Sequence, residues 1–175
     1  MARRVRFAEA VGSGFRKYFQ FSGRAQRAEF WWWIAFWCLG SLVAVVLDRA
    51  LDLGPSQPLD GVITIRFLSI FEWSEPAESV FKLFVLTPTA AVGVRRLHDI
   101  GKRGWWLLMP FAILFGTLMA APFIGAARPV VALAGPFGFL AVFVVILVWW
   151  ARDGDRGSNR FGPSPKYGSE MAVFD

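Results

Sequence analysis

The sequence has very little cysteine, histidine and charge. Its one cysteine, Cys38, excludes a disulfide framework within the chain, and its one histidine, His98, excludes a metal site built from several histidines. Charged residues make up only 18% of the 175 residues, whereas hydrophobic residues make up 55%. This composition is too apolar for the surface of an ordinary soluble domain, so we expect the lipid bilayer to be the solvent of this chain.

Several familiar motifs are also missing. The sequence has no P-loop, no HExxH and no G-x-S-x-G motif, and it therefore predicts no catalytic residues, no metal and no cofactor. Residues 1–29 contain no continuous apolar stretch, so we expect no cleavable signal peptide. The first membrane span is expected to act as its own uncleaved signal.

What the chain does contain is long uncharged runs. Residues 105–127 and 129–150 are free of charge, and helices of these lengths rise about 33 Å, enough for a hydrocarbon core of about 30 Å. A third run, residues 30–47, becomes long enough when a polar first turn from about Gly23 is added, with Ser22 as its N-cap. Each run predicts a membrane-spanning helix.

A fourth span is predicted over residues 76–94. Pro76 suits the first turn of a helix, where its missing N–H costs little. Lys82 lies four residues after Glu78, so the two side chains can pair, and its long stem can also reach toward the headgroups. Pro88, in the middle of this span, should kink the helix.

The predicted fold class is therefore all-α, a bundle of four transmembrane helices within residues 30–150. A basic segment, residues 1–29, precedes the bundle, and a tail, residues 151–175, follows it. The acidic, proline-containing residues 48–75 are expected to lie outside the membrane. Their apolar stretch, residues 62–71, is too short to cross as a helix and is interpreted as a surface strand or an interfacial segment.

Lysine and arginine are distributed unevenly between the two sides of the predicted membrane. Residues 1–29 hold seven of them, and residues 95–104 and 151–175 hold four each, whereas the loops on the other side hold only three. The positive-inside rule therefore places both termini in the cytoplasm. Because the basic residues lie between apolar runs, we expect no binding of nucleic acid.

A short amphipathic helix is predicted before the first span. Phe7, Val11, Phe15 and Tyr18 recur at a spacing of three to four residues, with basic residues between them. This pattern is typical of a helix that lies on the inner leaflet.

Three stretches on the predicted cytoplasmic side, residues 21–31, 95–106 and 153–166, are rich in charged residues and glycine. In the first, Arg24 and Arg27 would share a helix face. They could hold one phosphate or carboxylate between them, or they could orient the helix by snorkelling.

The other two stretches also allow two interpretations each. His98 beside Asp99 could relay a proton, or both residues could only cap helices and form salt bridges. Asp153, Asp155 and Asn159 suggest a calcium loop, but the glycine and the bidentate glutamate that such a loop needs are not at the required positions. We expect instead a tail packed against the cytoplasmic face.

Since the three stretches fall on one side, we expect them to form one polar cluster in which acids and arginines balance. Breaking a buried ion pair costs about 3–5 kcal/mol, so a purely structural role is enough to explain such residues. The predicted members are Arg24, Arg27, Glu29, Arg95, Arg96, His98, Asp99, Asp153, Asp155, Asn159 and Arg160.

Taken together, the three stretches resemble one family, the bacterial inner-membrane proteins called DUF805 or YhaH-like. The resemblance covers nearly the whole chain. It rests on Phe21-Ser22-Gly23-Arg24 with Arg27, Glu29, Phe30 and Trp31, on Arg95-Arg96-Leu97-His98-Asp99 and Gly104-Trp105-Trp106, and on Asp153-Gly154 with Gly157, Asn159, Arg160, Phe161, Gly162, Pro163 and Pro165. It implies a bacterial inner-membrane protein with a helical membrane fold, and it implies no particular biochemical activity.

We expect a non-catalytic membrane protein whose cluster locks the helices and presents a surface to the lipid bilayer, including anionic headgroups, or to proteins. One alternative is a small transporter or channel component, favoured by the prolines in the spans and opposed by the lack of a mid-span acid. A second is a lipid-headgroup-binding or lipid-modifying protein, with His98 as acid or base and the arginines on phosphate.

Overall fold

The computed structural model describes residues 4–52, 76–123 and 128–168. Within these ranges the chain forms helices and no β-strand; two isolated bridges, Asn159–Gly162 and Ser164–Gly168, occur in the C-terminal segment. The helices are α1 Phe7–Arg16, α2 Arg27–Ala50, α3 Pro76–Asp99, α4 Met109–Ala120 and α5 Arg128–Ala151, and the 3-10 turns Gly104–Leu108 and Ala121–Phe123 flank α4. The all-α prediction is confirmed for the described residues. The predicted strand or interfacial segment at 62–71 lies outside them.

Three helical stretches are long and apolar enough to cross a membrane: α2, α3 and Leu133–Ala151 within α5. The stretch Gly104–Ala120 is apolar but shorter. Large apolar side chains on these helices face outward; Leu42 is 58% exposed and Phe137 is 68% exposed. Soluble proteins rarely expose so much contiguous apolar surface, whereas lipid tails are its natural neighbours. The chain is therefore a membrane protein.

The start of α2 differs from the sequence-based prediction. The helix begins at Arg27, its N-cap is Gln26, and Ser22 is not a cap. Gly23 adopts φ 84°, in the left-handed region that favours glycine, so a helix cannot run through it. Residues 21–26 form instead a non-helical segment that leads into α2.

The other boundaries follow the apolar runs more closely. Helix α3 begins at Pro76 as predicted, and it continues through Pro88 to Asp99. The described part of the run predicted as the third span ends at residue 123, and it is a 12-residue α-helix between two 3-10 turns. Because a 3-10 turn rises about 2.0 Å per residue, residues 104–123 together measure about 34 Å.

Helices α4 and α5 pack against each other through small residues of α5. A Cβ on Gly138 would lie 2.9 Å from the Ile113 side chain, and one on Gly135 would meet Thr117. Gly116 on α4 does not take part in this contact, since no neighbouring atom lies within 4 Å of its Cβ position.

The buried core lies near one end of the bundle, where α2 begins and α3 and α5 end. We call this the polar end. Helix α1, the predicted amphipathic helix, packs there against α2, because Gly14 allows the indole of Trp33 to lie on its backbone. The larger core side chains are Phe30, Trp33, Val85, Val92, Leu97, Ile146 and Trp150. The position of α1 on the inner leaflet stays a prediction.

At the opposite end, α2 and α3 are joined by a capping contact. The carboxylate of Asp48, in the last turn of α2, accepts hydrogen bonds from the backbone N–H groups of Ala77 and Glu78 at 2.7 and 3.0 Å. It thus caps the N-terminus of a neighbouring helix. The predicted pair of Glu78 and Lys82 is confirmed, with a separation of 3.3 Å, and both residues are buried.

Candidate functional site

The segment before α2 lies along the last turn of α3. The backbone N–H of Ala25 donates to the carbonyl of Arg95 at 3.0 Å, and the imidazole Nδ1 of His98 is 3.0 Å from the carbonyl of Gly23. These contacts bring the first and second charged stretches together. Ala25 and Leu97 are both fully buried beneath them.

Arg24 links this segment to the C-terminal tail. Its Nε donates to the Asp99 carboxylate at 2.9 Å, its Nη1 donates to the carbonyls of Gly157 and Gly162, and its Nη2 donates to the carbonyls of Asp99 and Asp155. A guanidinium has five N–H groups, so every donor of this side chain is used within the chain. Arg24 is only 7% exposed and has no donor left for a ligand.

Arg96 holds the end of α5. Its Nη1 pairs with the second carboxylate oxygen of Asp99, while its Nε and Nη2 donate to the backbone carbonyls of Trp150 and Arg152. The last carbonyls of a helix lack helical partners, and an arginine side chain can satisfy them. Asp99, 4% exposed, thus lies between Arg24 and Arg96 and is neutralised by both.

Arg95 forms a second buried pair. Its Nη1 is 3.1 Å from Glu29 Oε1, and the hydroxyl of Ser13 donates to the same carboxylate oxygen at 2.9 Å. The pair therefore joins α1, α2 and α3. Arg95 is 1% exposed and Glu29 is 7% exposed, which makes this an ion pair shielded from water.

Polar contacts from the tail complete the site. The Asn159 amide donates to the carbonyl of His98 at 3.0 Å and to the Asp155 carboxylate at 2.8 Å, and the Phe161 ring stacks on the His98 imidazole at 3.9 Å. Arg160 donates to the carbonyl of Gly101 at 2.7 Å. The tail is thereby packed onto the last turn of α3 and the loop after it.

The predicted residues therefore meet at the polar end, and we call this group of eleven side chains the polar cluster. Arg27 and Asp153 form its edge, since they pair at 3.3 Å with side chains that are 51% and 72% exposed. Whether this end faces the cytoplasm stays a prediction.

Two sequence-based interpretations of these residues are wrong. Arg24 and Arg27 do not share a helix face, because Arg24 precedes α2 and is buried while Arg27 is exposed. His98 and Asp99 do not form a relay, because Asp99 binds Arg24 and Arg96, and the imidazole faces Gly23 and Phe161.

The acids of the third stretch engage groups of the chain itself. Asp153 pairs with Arg27, and Asp155 accepts from Asn159. Across the described residues, no group of three or more His, Cys, Asp or Glu side chains is arranged to hold a metal ion.

Some contributors were not identified from the sequence. Ser13 on α1 bonds to Glu29, and the Gln26 amide donates to the carbonyl of Pro165. Gln26 lies between Arg24 and Arg27 in the first charged stretch, and this position could have identified it as a member of the site. The many backbone carbonyls that accept from Arg24 and Arg96 were not predictable in this way, because every residue carries one.

Comparisons with known proteins agree with this picture. A family model described as "Protein of unknown function (DUF805)" matches residues 18–163. The chain is 30% identical to the inner membrane protein YhaI of Escherichia coli over 88% of its own length and 92% of that protein. It is 28% identical to the inner membrane protein YhaH of the same organism, over 86% and 91% of the two chains. No solved structure matches the chain.

Proposed function

The chain belongs to the DUF805 family, and on that premise we propose that it is a four-span protein of the bacterial inner membrane with both termini in the cytoplasm. In this proposal the polar cluster is a non-catalytic clasp that holds the helix ends and the tail together on the cytoplasmic face. Three spans correspond to the long apolar helices. The fourth is the stretch 104–123, whose length of about 34 Å suffices for the hydrocarbon core because its 3-10 turns are extended.

One observation carries the clasp proposal: Arg24 uses all five of its donors on acceptors from α3 and the tail. A side chain that binds an external anion must keep some donors free for it. Buried arginines whose donors are all used within the chain fix geometry instead, and removing one partner costs about 3–5 kcal/mol because a buried charge is left alone.

The arrangement of His98 favours the clasp over lipid-modifying chemistry. A general acid or base needs a partner that orients it and a free nitrogen aimed at a substrate. Here Asp99 is held by two arginines, and the His98 ring is covered by Phe161 on one face. We therefore expect His98→Ala to leave the lipid composition of the cell unchanged; a missing or accumulating lipid species would favour the enzyme alternative.

The clasp is tested by exchanging the charges of one of its buried pairs, Glu29 and Arg95. Glu29→Arg alone and Arg95→Glu alone each place two like charges together in a buried site, and we expect a large loss of folded protein for both. The double variant restores opposite charges and should recover much of the folded yield, measured as monodisperse protein in detergent. The matched control is the exposed pair, in which Arg27→Asp and Asp153→Arg should each change stability by no more than about 1 kcal/mol. Equal tolerance of the buried and exposed single reversals would contradict the clasp.

The orientation is tested separately with single cysteines. In a Cys38→Ser background, Ser56→Cys lies in the predicted outer loop and Ser158→Cys lies in the tail. A membrane-impermeant maleimide added to intact spheroplasts should label the first and not the second. Labelling of Ser158→Cys under these conditions would overturn the predicted orientation, without bearing on the clasp.

A further inference from the structure

Beside the polar cluster lies an open cavity of about 430 Å³. It is formed by the residues before α1, by the start of α2 and by the tail. Its volume is within the range of about 300–1,000 Å³ that is usual for small-molecule sites. The cavity is therefore large enough for a phosphate ester.

The charges around the cavity are unbalanced. Four basic and three acidic residues line it. Of the acids, Asp99 is already neutralised by Arg24 and Arg96, and Asp153 pairs with the lining residue Arg27. The third, Asp155, accepts a hydrogen bond from the Asn159 amide.

The three remaining cations, Arg4, Arg156 and Lys166, are exposed. They form no salt bridge with any carboxylate of the described residues. Lys166 lies over the Tyr167 ring, with its Nζ 5.2 Å from the ring centroid. The cavity thus has a surplus of positive charge that is not paired with a carboxylate of the described residues.

Two further features favour an anion at this position. Gln26, Arg27 and Ala28 line the cavity with the first residues of α2, where N–H groups lack helical partners. The side chain of the N-cap residue Gln26 makes no capping hydrogen bond, and its amide nitrogen donates to the carbonyl of Pro165.

Ser164 supplies the second feature. The Ser164 residue lines the cavity and is only 3% exposed, and its hydroxyl makes no hydrogen bond to any described residue. The hydroxyl oxygen is not one of the fully enclosed polar atoms without a partner, so it can be reached from the cavity and is available to a ligand or to water.

From these observations we propose that the cavity binds a phosphate group through Arg4, Arg156, Lys166 and the Ser164 hydroxyl. The group can come from a phospholipid headgroup or from a soluble phosphate ester. The lipid source is the one that we expect, because the exposed indoles of Trp31 and Trp32 follow Ala28 within about one helical turn and tryptophan prefers the membrane interface. The proposal goes beyond the clasp and rests on the proposed function only for placing this end at the inner leaflet.

The test uses the full chain in a non-ionic detergent, titrated with dihexanoyl phosphatidylglycerol, with glycerol phosphate and with inorganic phosphate, and followed by phosphorus NMR. The cavity variant combines Arg4→Ala, Arg156→Ala and Lys166→Ala. A matched variant combines Arg6→Ala, Arg16→Ala and Arg103→Ala, which removes the same charge from exposed positions outside the cavity. Ser164→Ala is a third variant, which leaves the charge unchanged.

We expect the cavity variant to lower affinity for phosphatidylglycerol at least about tenfold, because losing even one hydrogen bond between charged groups weakens binding by about that factor. The matched variant should change the affinity by less than about twofold. Ser164→Ala should weaken binding several-fold. The same pattern with glycerol phosphate or inorganic phosphate would support the site with a soluble ligand. Equal losses in both triple variants, or no binding of any of the three probes, would overturn the proposal.

The cavity variants leave every residue of the polar cluster in place. Their unfolding midpoints in detergent should therefore match that of the unmodified chain. Loss of phosphate binding with an unchanged unfolding midpoint therefore reports on the cavity alone. If the double variant with exchanged charges at Glu29 and Arg95 does not recover the folded yield, that result concerns the clasp alone.

Discussion

The hydroxyl of Tyr18 donates a hydrogen bond of 2.6 Å to the backbone carbonyl of Phe84, in the middle of α3. In a regular helix this carbonyl would accept from the N–H of residue 88, but that residue is a proline and has none. A carbonyl without a donor is expensive in an apolar surrounding. Tyr18, in the segment before α2, therefore supplies the hydrogen-bond donor that Pro88 lacks.

This relationship predicts how two substitutions interact. Tyr18→Phe removes the donor and should destabilise the protein by about 1–3 kcal/mol, because the carbonyl is left without a partner. Pro88→Ala returns a backbone N–H to α3, so Tyr18→Phe should cost much less in that background. The free energy of unfolding in detergent is measured for both single variants and for the double variant. The difference between the double variant and the sum of the two single variants gives the coupling energy between Tyr18 and Pro88. Additive effects would mean that Tyr18 does not compensate for Pro88.

The second prediction concerns a glycine beside Asp99. A Cβ on Gly154 would overlap the Asp99 carboxylate, which sits between Arg24 and Arg96. Gly154→Ala should therefore displace the carboxylate and cost about 1–3 kcal/mol or more. Gly157 offers a matched control in the same loop, because no atom lies within 4 Å of its Cβ position. Thermal unfolding that is equally affected by both substitutions would show that the close approach to Asp99 is unimportant.

The two glycines of α1 should respond in opposite directions. Gly14→Ala would overlap the Trp33 indole and push α1 away from α2, with an expected cost of about 1–3 kcal/mol. Gly12→Ala meets only the end of the Arg16 side chain at 3.8 Å, and it should stabilise the helix by up to about 1 kcal/mol. The two variants are compared by their unfolding midpoints and by the rate at which a protease cleaves the N-terminal segment. We expect faster cleavage and a lower midpoint for Gly14→Ala than for Gly12→Ala. Faster cleavage for Gly12→Ala than for Gly14→Ala would contradict this packing.

The fourth prediction addresses the end of the bundle away from the polar cluster. Asp48 is fully buried and caps α3 through Ala77 and Glu78. Asp48→Ala should lower stability by about 0.5–2 kcal/mol, the usual cost of losing an N-cap. Asp48→Asn keeps one side-chain oxygen as an acceptor and should retain part of this stability. If both variants unfold like the unmodified chain, the capping contact contributes nothing.

Much of the helical layout could be predicted because it depends on local composition. Long uncharged runs located α2, α4 and α5, and Pro76 marked the first residue of α3. The start of α2 was misplaced by four residues, since the contacts of Arg24 and Ala25 with α3 hold that segment in a non-helical conformation. Local propensity does not include such contacts.

The sequence by itself determined that this is a helical membrane protein with most of its arginines, and their acidic partners, near one end of the helices. That follows from hydrophobicity and charge, which are properties of each side chain. Only the tertiary structure decided that Arg95 pairs with Glu29, that Asp99 lies between two arginines, and that Tyr18 serves the carbonyl left by Pro88. The acceptors in these contacts include backbone carbonyls, which all residues share, so their selection depends on how the segments meet in space.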